Sequence, residues 1–319
     1  MKQPINITLK PCPFFRFNPF MGPIGILFIL LISTSSYAQT DSLKQKSNRK
    51  IIVTTALGGI YAGSMVGLYH LWYAGYPQSK FHFFNDGKEW LYMDKVGHTF
   101  SAYVEGRYSI IMQKWAGFDD RKAAICGPLY GYLYQTTIEV FDGCSSEWGF
   151  SMKDIASNTF GTGLVMGQAL AWNEQRITIK FSFVPTHYAK VRPELLGTSM
   201  AEKIFKDYNG QTYWLCVNPH SFNKTGKWPA WLDIALGYGA TGMYGGDDNI
   251  WDRDGVTYDY SSTPRRMQLY LAPDINLEKL KTKKKWIRYS LFVLNAFKFP
   301  LPALNLTQGK GLKLEPLKF

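Results

Sequence analysis

The hydrophobic period of this chain changes once, near residue 174, and that switch limits what it can fold into. Up to about Glu174 it shows long uncharged stretches rich in Gly, Ala and aromatic residues, and from Gln175 onward apolar and polar residues alternate between turn residues. The first pattern belongs to buried helices and the second to half-buried strands. The expected class is therefore α+β: an N-terminal helical bundle of about four helices over 39–174, then a small antiparallel β-sheet domain over 175–319.

Residues 51–76 are uncharged apart from His70, and Gly59, Gly63 and Gly67 recur at every fourth position. On a helix these glycines form a smooth stripe that would let another helix approach closely. Residues 123–138 are uncharged and interrupted by Gly127 and Pro128; residues 155–173 carry Gly163 and Gly167, and a fourth helix is expected to start near Asp94. In the second half, Ile177, Ile179, Phe181 and Phe183 alternate with Arg176, Thr178, Lys180 and Ser182, which puts the apolar set on one strand face. Residues 213–217, 231–238, 267–271 and 312–314 complete about five predicted strands. A closed outer-membrane barrel needs at least about eight, so an open sheet is expected even though Phe319 and Leu317 resemble a barrel's last strand. Lys279, Lys281, Lys283, Lys284, Lys285 and Arg288 precede an apolar run at 289–297, a basic amphipathic segment suited to an anionic membrane surface.

With 19% charged and 16% aromatic residues, a disordered solvating chain is excluded. A mean hydropathy of -0.17 excludes one that is mostly lipid-embedded. Lys2, Lys10 and Arg16 precede a nine-residue apolar run at 24–32, and Ser36 and Ala38 then stand where a secretory cleavage site has small residues. Nine residues are too few to span a bilayer, which needs about 20. Residues 1–38 thus read as a signal peptide and the remainder as an exported chain. Its 33 basic residues (36 less Lys2, Lys10 and Arg16) against 24 acidic leave a net charge of +9. A basic envelope protein is drawn to anionic lipid or glycan, with nucleic acid excluded as a partner in that compartment. Cys12 leaves with the signal peptide, and Cys126 with Cys144 is the internal disulfide expected from the three that remain.

Gly237, Gly239 and Gly242 match G-x-G-x-x-G, but a polar loop follows where a helix N-terminus would have to receive a pyrophosphate. The acidic loop Asp247, Asp248, Asn249, Asp252 and Asp254 has Ile250 at the first calcium-ligand position and no closing Glu. No nucleophile elbow, H-E-x-x-H or P-loop occurs.

The informative residues run from Asp94 to Gly161. Asp94 and His98 lie four apart on one helical face, which Ser101 and Glu105 extend; Glu139 and Asp142 are three apart, and Asp154 and Asn158 four apart. Three polar pairs on three otherwise apolar segments are economically explained if they converge on one interior site, because buried carboxylates and imidazoles are costly unless paired or functional. The patterns D-K-x-x-H at Asp94, Lys95 and His98, E-x-x-D at Glu139 and Asp142, and S-x-x-D-x-x-x-N-x-x-G at Ser151, Asp154, Asn158 and Gly161 occur in that order. With them, residues 94–167 resemble the YfiM-like predicted periplasmic lipoproteins, a family of domains of unknown function, and more distantly the VanZ-like membrane proteins. The resemblance implies an envelope location and supplies no activity. The chain departs from it in having no Cys after the N-terminal apolar run, and Asp142 stands where the VanZ-like pattern has Gln.

Three functions fit these residues. A hydrogen-bonded network of Asp94, His98, Glu139, Asp142, Asp154 and Asn158 locks the helices together, and this structural role is the leading expectation. In a hydrolase of envelope lipid or glycan, Glu139, Asp142 and Asp154 hold a divalent metal while His98 moves a proton. In a binding module, Lys95, His98 and Arg107 receive a phosphate head group. The sequence names neither cofactor nor metal. The expectation for the whole is an exported, membrane-associated envelope protein at the periplasmic face, associated with the outer membrane.

Overall fold

Four long helices precede every strand in the computed structural model, which describes residues 43–318; the segment read as a signal peptide, Cys12 and Phe319 lie outside the described residues. Helix α1 spans Leu43–Leu68 and runs into a π turn at Tyr69–Tyr73, and α2, α3 and α4 span Met93–Trp115, Asp120–Gly143 and Met152–Trp172. The starts of α3 and α4 are capped from the sequence: the Asp119 carboxylate accepts the Lys122 N–H, and the Ser151 hydroxyl accepts the Asp154 N–H.

Helix α2 packs on both α3 and α4. A Cβ on Gly131 of α3 would come within 2.9 Å of the Gly106 nitrogen of α2, and one on Gly106 within 2.9 Å of the Pro128 Cα. On Gly161 of α4 it would collide with the Thr99 carbonyl. These are the glycines that set helix contact. The stripe expected to do so, Gly59, Gly63 and Gly67, has nothing within 4 Å of any added Cβ, and the same holds for Gly163 and Gly167. The reason is that α1 meets α3 through side chains on another face: Tyr61 bonds the Thr137 hydroxyl and Tyr130 donates to the Leu57 carbonyl. Residues Asn48–Tyr73 are long and apolar enough to cross a membrane, and little of their surface is buried.

The second half is an antiparallel sheet. Its strands are β1 (Ile177–Phe183), β2 (Gln211–Val217), β3 (Leu232–Thr241), β6 (Arg266–Ile275), β7 (Leu301–Thr307) and β8 (Gly311–Lys318), hydrogen-bonded in that order. A separate hairpin, β4 (Ile250–Arg253) with β5 (Val256–Asp259), is inserted between β3 and β6. The sequence reading lacks β7, whose Pro302 argues against a strand, and the hairpin, hidden in the acidic loop. The basic segment ends in helix α5 (Lys285–Leu294). The rejection of the dinucleotide fingerprint agrees with the fold: Gly237 and Gly239 lie inside β3, where a Cβ on Gly237 would strike the Trp214 ring at 2.7 Å.

One sheet face meets the helices, with Phe181 and Tyr213 packed around Met93 and Phe100, and Ile179 beside Tyr103. The other face is a second core of Trp214, Cys216, Ala235, Tyr270, Ala272 and Ala303. The Phe181 N–H bonds the Ala296 carbonyl, and the Lys298 N–H bonds the Phe181 carbonyl, so the approach to β7 folds back onto β1. The expected Cys126–Cys144 disulfide is overturned. Cys126 lies within α3 and Cys144 just past its end; 18 residues of helix separate them by about 27 Å, against about 6 Å between bridged Cα atoms.

Candidate functional site

Helix α2 starts from an unusual turn. Trp90, Leu91 and Tyr92 have φ of 51°, 50° and 65°, three successive non-glycine residues in the left-handed region, each costing about 1–2 kcal/mol. The surrounding structure holds them there: the Trp90 N–H bonds the Gly246 carbonyl and the Tyr238 hydroxyl donates to the Leu91 carbonyl. The first two turns of α2 then deliver Asp94, Lys95 and His98 to the ends of α3 and α4.

Lys95 is the centre of charge. Its Nζ lies 2.5 Å from Asp86 Oδ2, 2.7 Å from Asp94 Oδ2 and 2.7 Å from Asp154 Oδ2, joining the loop before α2, α2 itself and α4. Burial opposes a charged ammonium, but the Asp94 and Asp154 carboxylates and the hydrogen bonds outweigh it and hold the Lys95 pKa well above its ordinary value. The Ser151 hydroxyl donates to Asp86 Oδ1 at 2.6 Å, and the Ser151 N–H to Glu139 Oε2 at 3.1 Å. The Tyr208 hydroxyl donates to Asp94 Oδ1 and the Tyr73 hydroxyl to Asp142 Oδ1.

His98 faces three acids. Its Nε2 is 3.5 Å from Glu139 Oε1, 3.7 Å from Asp94 Oδ1 and 4.0 Å from Asp154 Oδ1, and its Nδ1 is 3.2 Å from Asn158 Oδ1. The tautomer with a proton on Nδ1 donates to Asn158 and leaves the Nε2 lone pair pointing at the carboxylates. Glu139 Oε1 and Asp154 Oδ1 are buried and have no hydrogen-bond partner in the protein. Such orphaned oxygens are uncommon and call for an explanation.

Protonation follows from burial. Glu139 is raised to about 8, first by loss of water and then by Asp154 and Asp142. Asp142 is raised to about 7 by burial, with further help from Asp94 and Asp86. Asp154 rises to about 9 through burial and the Asp94 charge. Asp94 and Asp86 go the other way: burial pushes both up, but His98 and Lys95 outweigh it for Asp94, and hydrogen bonds from Asp154, Lys95 and Ser151 outweigh it for Asp86. The cluster thus mixes two kinds of acid: Asp86 and Asp94 are held ionised, while Glu139, Asp142 and Asp154 hold their protons more tightly than free carboxyls, Asp154 in spite of its contact with Lys95.

One nitrogen and carboxylate oxygens can hold a divalent cation. Ligand atoms of Asp94, His98 and Asp154 lie within 4.8 Å of one another. The 3.5–4.0 Å from Nε2 to the three oxygens is long for a hydrogen bond and close to the roughly 3.4 Å ligand edge of a tetrahedral site with bonds near 2.1 Å. Zinc or manganese suits this mixed donor set.

The fold brings together Asp94, Lys95, His98, Glu139, Asp154 and Asn158, with Asp142 at the edge against Tyr73. Arg107 is not with them. It ion-pairs with Glu278 beneath the Phe292 ring, three helical turns away, so its expected part in phosphate binding does not hold. Lys95, engaged by three carboxylates, has no free donor for a phosphate. Glu105 continues the α2 stripe but pairs with Gln135 instead. Asp86, Tyr73 and Tyr208 are site residues that sequence reasoning missed. Asp86 sits in an Asn-Asp-Gly turn that reads as an ordinary loop, and the two tyrosines lie far along the chain in aromatic-rich stretches.

Comparison with known proteins agrees with the early resemblance over this region. Residues 82–168, about a quarter of the chain, match a family described as predicted periplasmic lipoprotein (DUF2279). That span holds every residue of the cluster except Tyr73 and Tyr208, and the description agrees with an exported chain at the periplasmic side of a cell envelope. No curated protein and no solved structure matches.

Proposed function

We propose that this is an exported, membrane-associated envelope protein whose helical half binds a divalent cation through Asp94, His98 and Asp154, with Glu139 beside them. The observation that carries this reading is the pair of orphaned buried oxygens, Glu139 Oε1 and Asp154 Oδ1, 3.5 Å and 4.0 Å from Nε2 of His98. A purely structural network, the leading expectation from sequence, would be served by satisfying them. Asn158 orients His98, Ser151 orients Glu139, and Lys95 ties the Asp86 loop to α2 and α4 around the cation. The apolar helix α1 supports anchorage in a membrane, and the outer membrane is the location we propose.

A second reading, hydrolysis of an envelope lipid or glycan, is favoured by a cleft of about 290 Å³ lined by Phe83, Phe84, Asn85, Phe150, Met152 and Lys153. Its lining adjoins Asp86 and Ser151 in the chain and offers apolar surface to an acyl or sugar group. A divalent cation bound at the neighbouring cluster of Asp94, His98 and Asp154 would supply Lewis acidity to such a reaction.

The test is metal analysis of purified protein beside a folded Asp154→Asn variant, followed by titration of metal-stripped protein with zinc and manganese. Stoichiometric binding lost in the variant supports the proposal. Absence of binding at pH 8, with the wild type folded, sinks it.

A further inference from the structure

The sheet face that α2 covers at β1 and β2 runs on, exposed, across the other strands. Register places Leu215 opposite Leu236, Leu236 opposite Leu271, Leu271 opposite Leu304 and Leu304 opposite Leu314, one leucine on each of five successive strands. These side by side leucines are between 39% and 60% exposed. A second row, two residues along, holds Leu269, Leu306 and Leu312 at 49–68% exposure. Five strands at about 4.8 Å spacing make the patch about 19 Å wide, and contiguous exposed apolar surface of that kind marks an interaction site.

Polarity on the opposite face is reversed. There Lys180 lies 2.6 Å from Asp274, with Lys298 on the other carboxylate oxygen at 3.5 Å, and all three side chains are fully buried. A sheet with one wetted face turns its polar residues to water. This sheet turns leucine outward and charge inward, the polarity of a wall that faces hydrocarbon.

One end of the same sheet is basic and aromatic. β6 leaves at Ile275, opposite Leu232, and leads into Lys281, Lys283, Lys284 and Lys285; Trp286 and Tyr289 are exposed on α5, and Trp231 is exposed beside Leu232. Trp and Tyr settle at the level of lipid head groups, and clustered lysines are attracted to anionic ones. Along β3 the outward stretch from Leu232 to Leu236 is about 13 Å long, less than half of a hydrocarbon core about 30 Å thick.

We infer that the leucine face lies in one leaflet of an anionic phospholipid membrane, with the lysine segment at its rim on the head groups. The inference rests on the membrane-associated reading above and deepens it by naming a second, β-sheet contact besides α1.

The test mixes the full exported chain with vesicles of phosphatidylethanolamine and phosphatidylglycerol carrying a phospholipid with a diazirine in its acyl chain. After irradiation, adducts are mapped by mass spectrometry. Adducts on the peptides holding Leu236, Leu271 and Leu304 are expected. A Leu236→Asp/Leu304→Asp variant with an unchanged circular dichroism spectrum should lose about tenfold in vesicle partitioning, and raised salt should weaken binding of the wild type. Adducts confined to α1 overturn the sheet inference and leave membrane association standing. Failure to float with vesicles or to take any adduct overturns both. Lipid-independent cross-linking of two copies through the leucine face would assign that face to self-association and overturn the inference.

Discussion

The molecule buries charge in two places, and the two are built differently. In the sheet, Asp274 accepts from Lys180 and from the Phe299 N–H, Lys180 also donates to the Ile275 carbonyl and to Asn295, and Lys298 donates to the Phe299 carbonyl. No atom of Lys180, Asp274 or Lys298 is without a partner. Among the helices, five carboxylates surround one lysine and one histidine, and two of their oxygens are orphaned. Buried charge alone therefore says little about function. A closed network stabilises a fold, and one left open toward a common point has the form of a ligand site.

The largest effect expected from this contrast is in the sheet. Asp274→Ala leaves two lysines buried without a counter-charge and should cost about 3–5 kcal/mol, measured by urea unfolding; a loss under about 1 kcal/mol would remove the sheet cluster from the closed class. Asp154→Asn in the helices should instead leave the metal-stripped fold nearly as stable while weakening zinc or manganese binding by about 100-fold or more, since it removes a direct ligand where second-shell losses alone reach 10–100-fold. Isothermal titration decides it, and an equal affinity in the variant would close the open cluster.

Third in size is a pH effect. Glu139, Asp142 and Asp154 have native pKa values of about 8, 7 and 9, above their ordinary 4.5, 3.8 and 3.8. The native state therefore binds these protons more tightly than the unfolded chain. Their contribution to stability is complete below about pH 4 and is lost as pH rises through 7 to 9. The thermal midpoint of metal-free protein should fall between pH 6 and pH 9, and saturating zinc at pH 8 should restore it. A midpoint that rises with pH over that window would contradict the protonated acids. The smallest effect is at the turn: Tyr92 is exposed and left-handed, so Tyr92→Gly should change stability by less than about 1 kcal/mol, toward greater stability, while loosening the placement of Asp94 and weakening metal binding.

Much of this was written in periodicity. The alternation at Ile177 to Phe183 and the helical spacing of Asp94 with His98 and of Asp154 with Asn158 report local geometry, and local geometry is what side-chain order encodes. Helix contacts were not readable in the same way. Gly59, Gly63 and Gly67 look like a packing stripe as strongly as Gly106, Gly127 and Gly131 do, and only the arrangement of whole helices decides which stripe meets a neighbour. Asp86 and Tyr208 reach the cluster through long-range contacts that no spacing reveals, and the same holds for the Arg107 partner Glu278, 171 residues away. The left-handed turn at Trp90 to Tyr92 lacks the glycine that would have announced it.

The alignment of leucines across the strands also bears on how faithfully the sheet can assemble. Side chains alternate along a strand, so pairing displaced by one residue would exchange the two faces. Leu236 and Leu271 would then point into the interior, and Lys180 and Asp274 would be carried out to the apolar side, stripped of Asn295 and of each other. Strands β1 and β6 thus carry their own penalty for misalignment. The polar core works as a proofreading device for strand pairing, and a sheet whose outer face is itself apolar, where hydrophobic contact alone would accept either face, is specified by its buried ions.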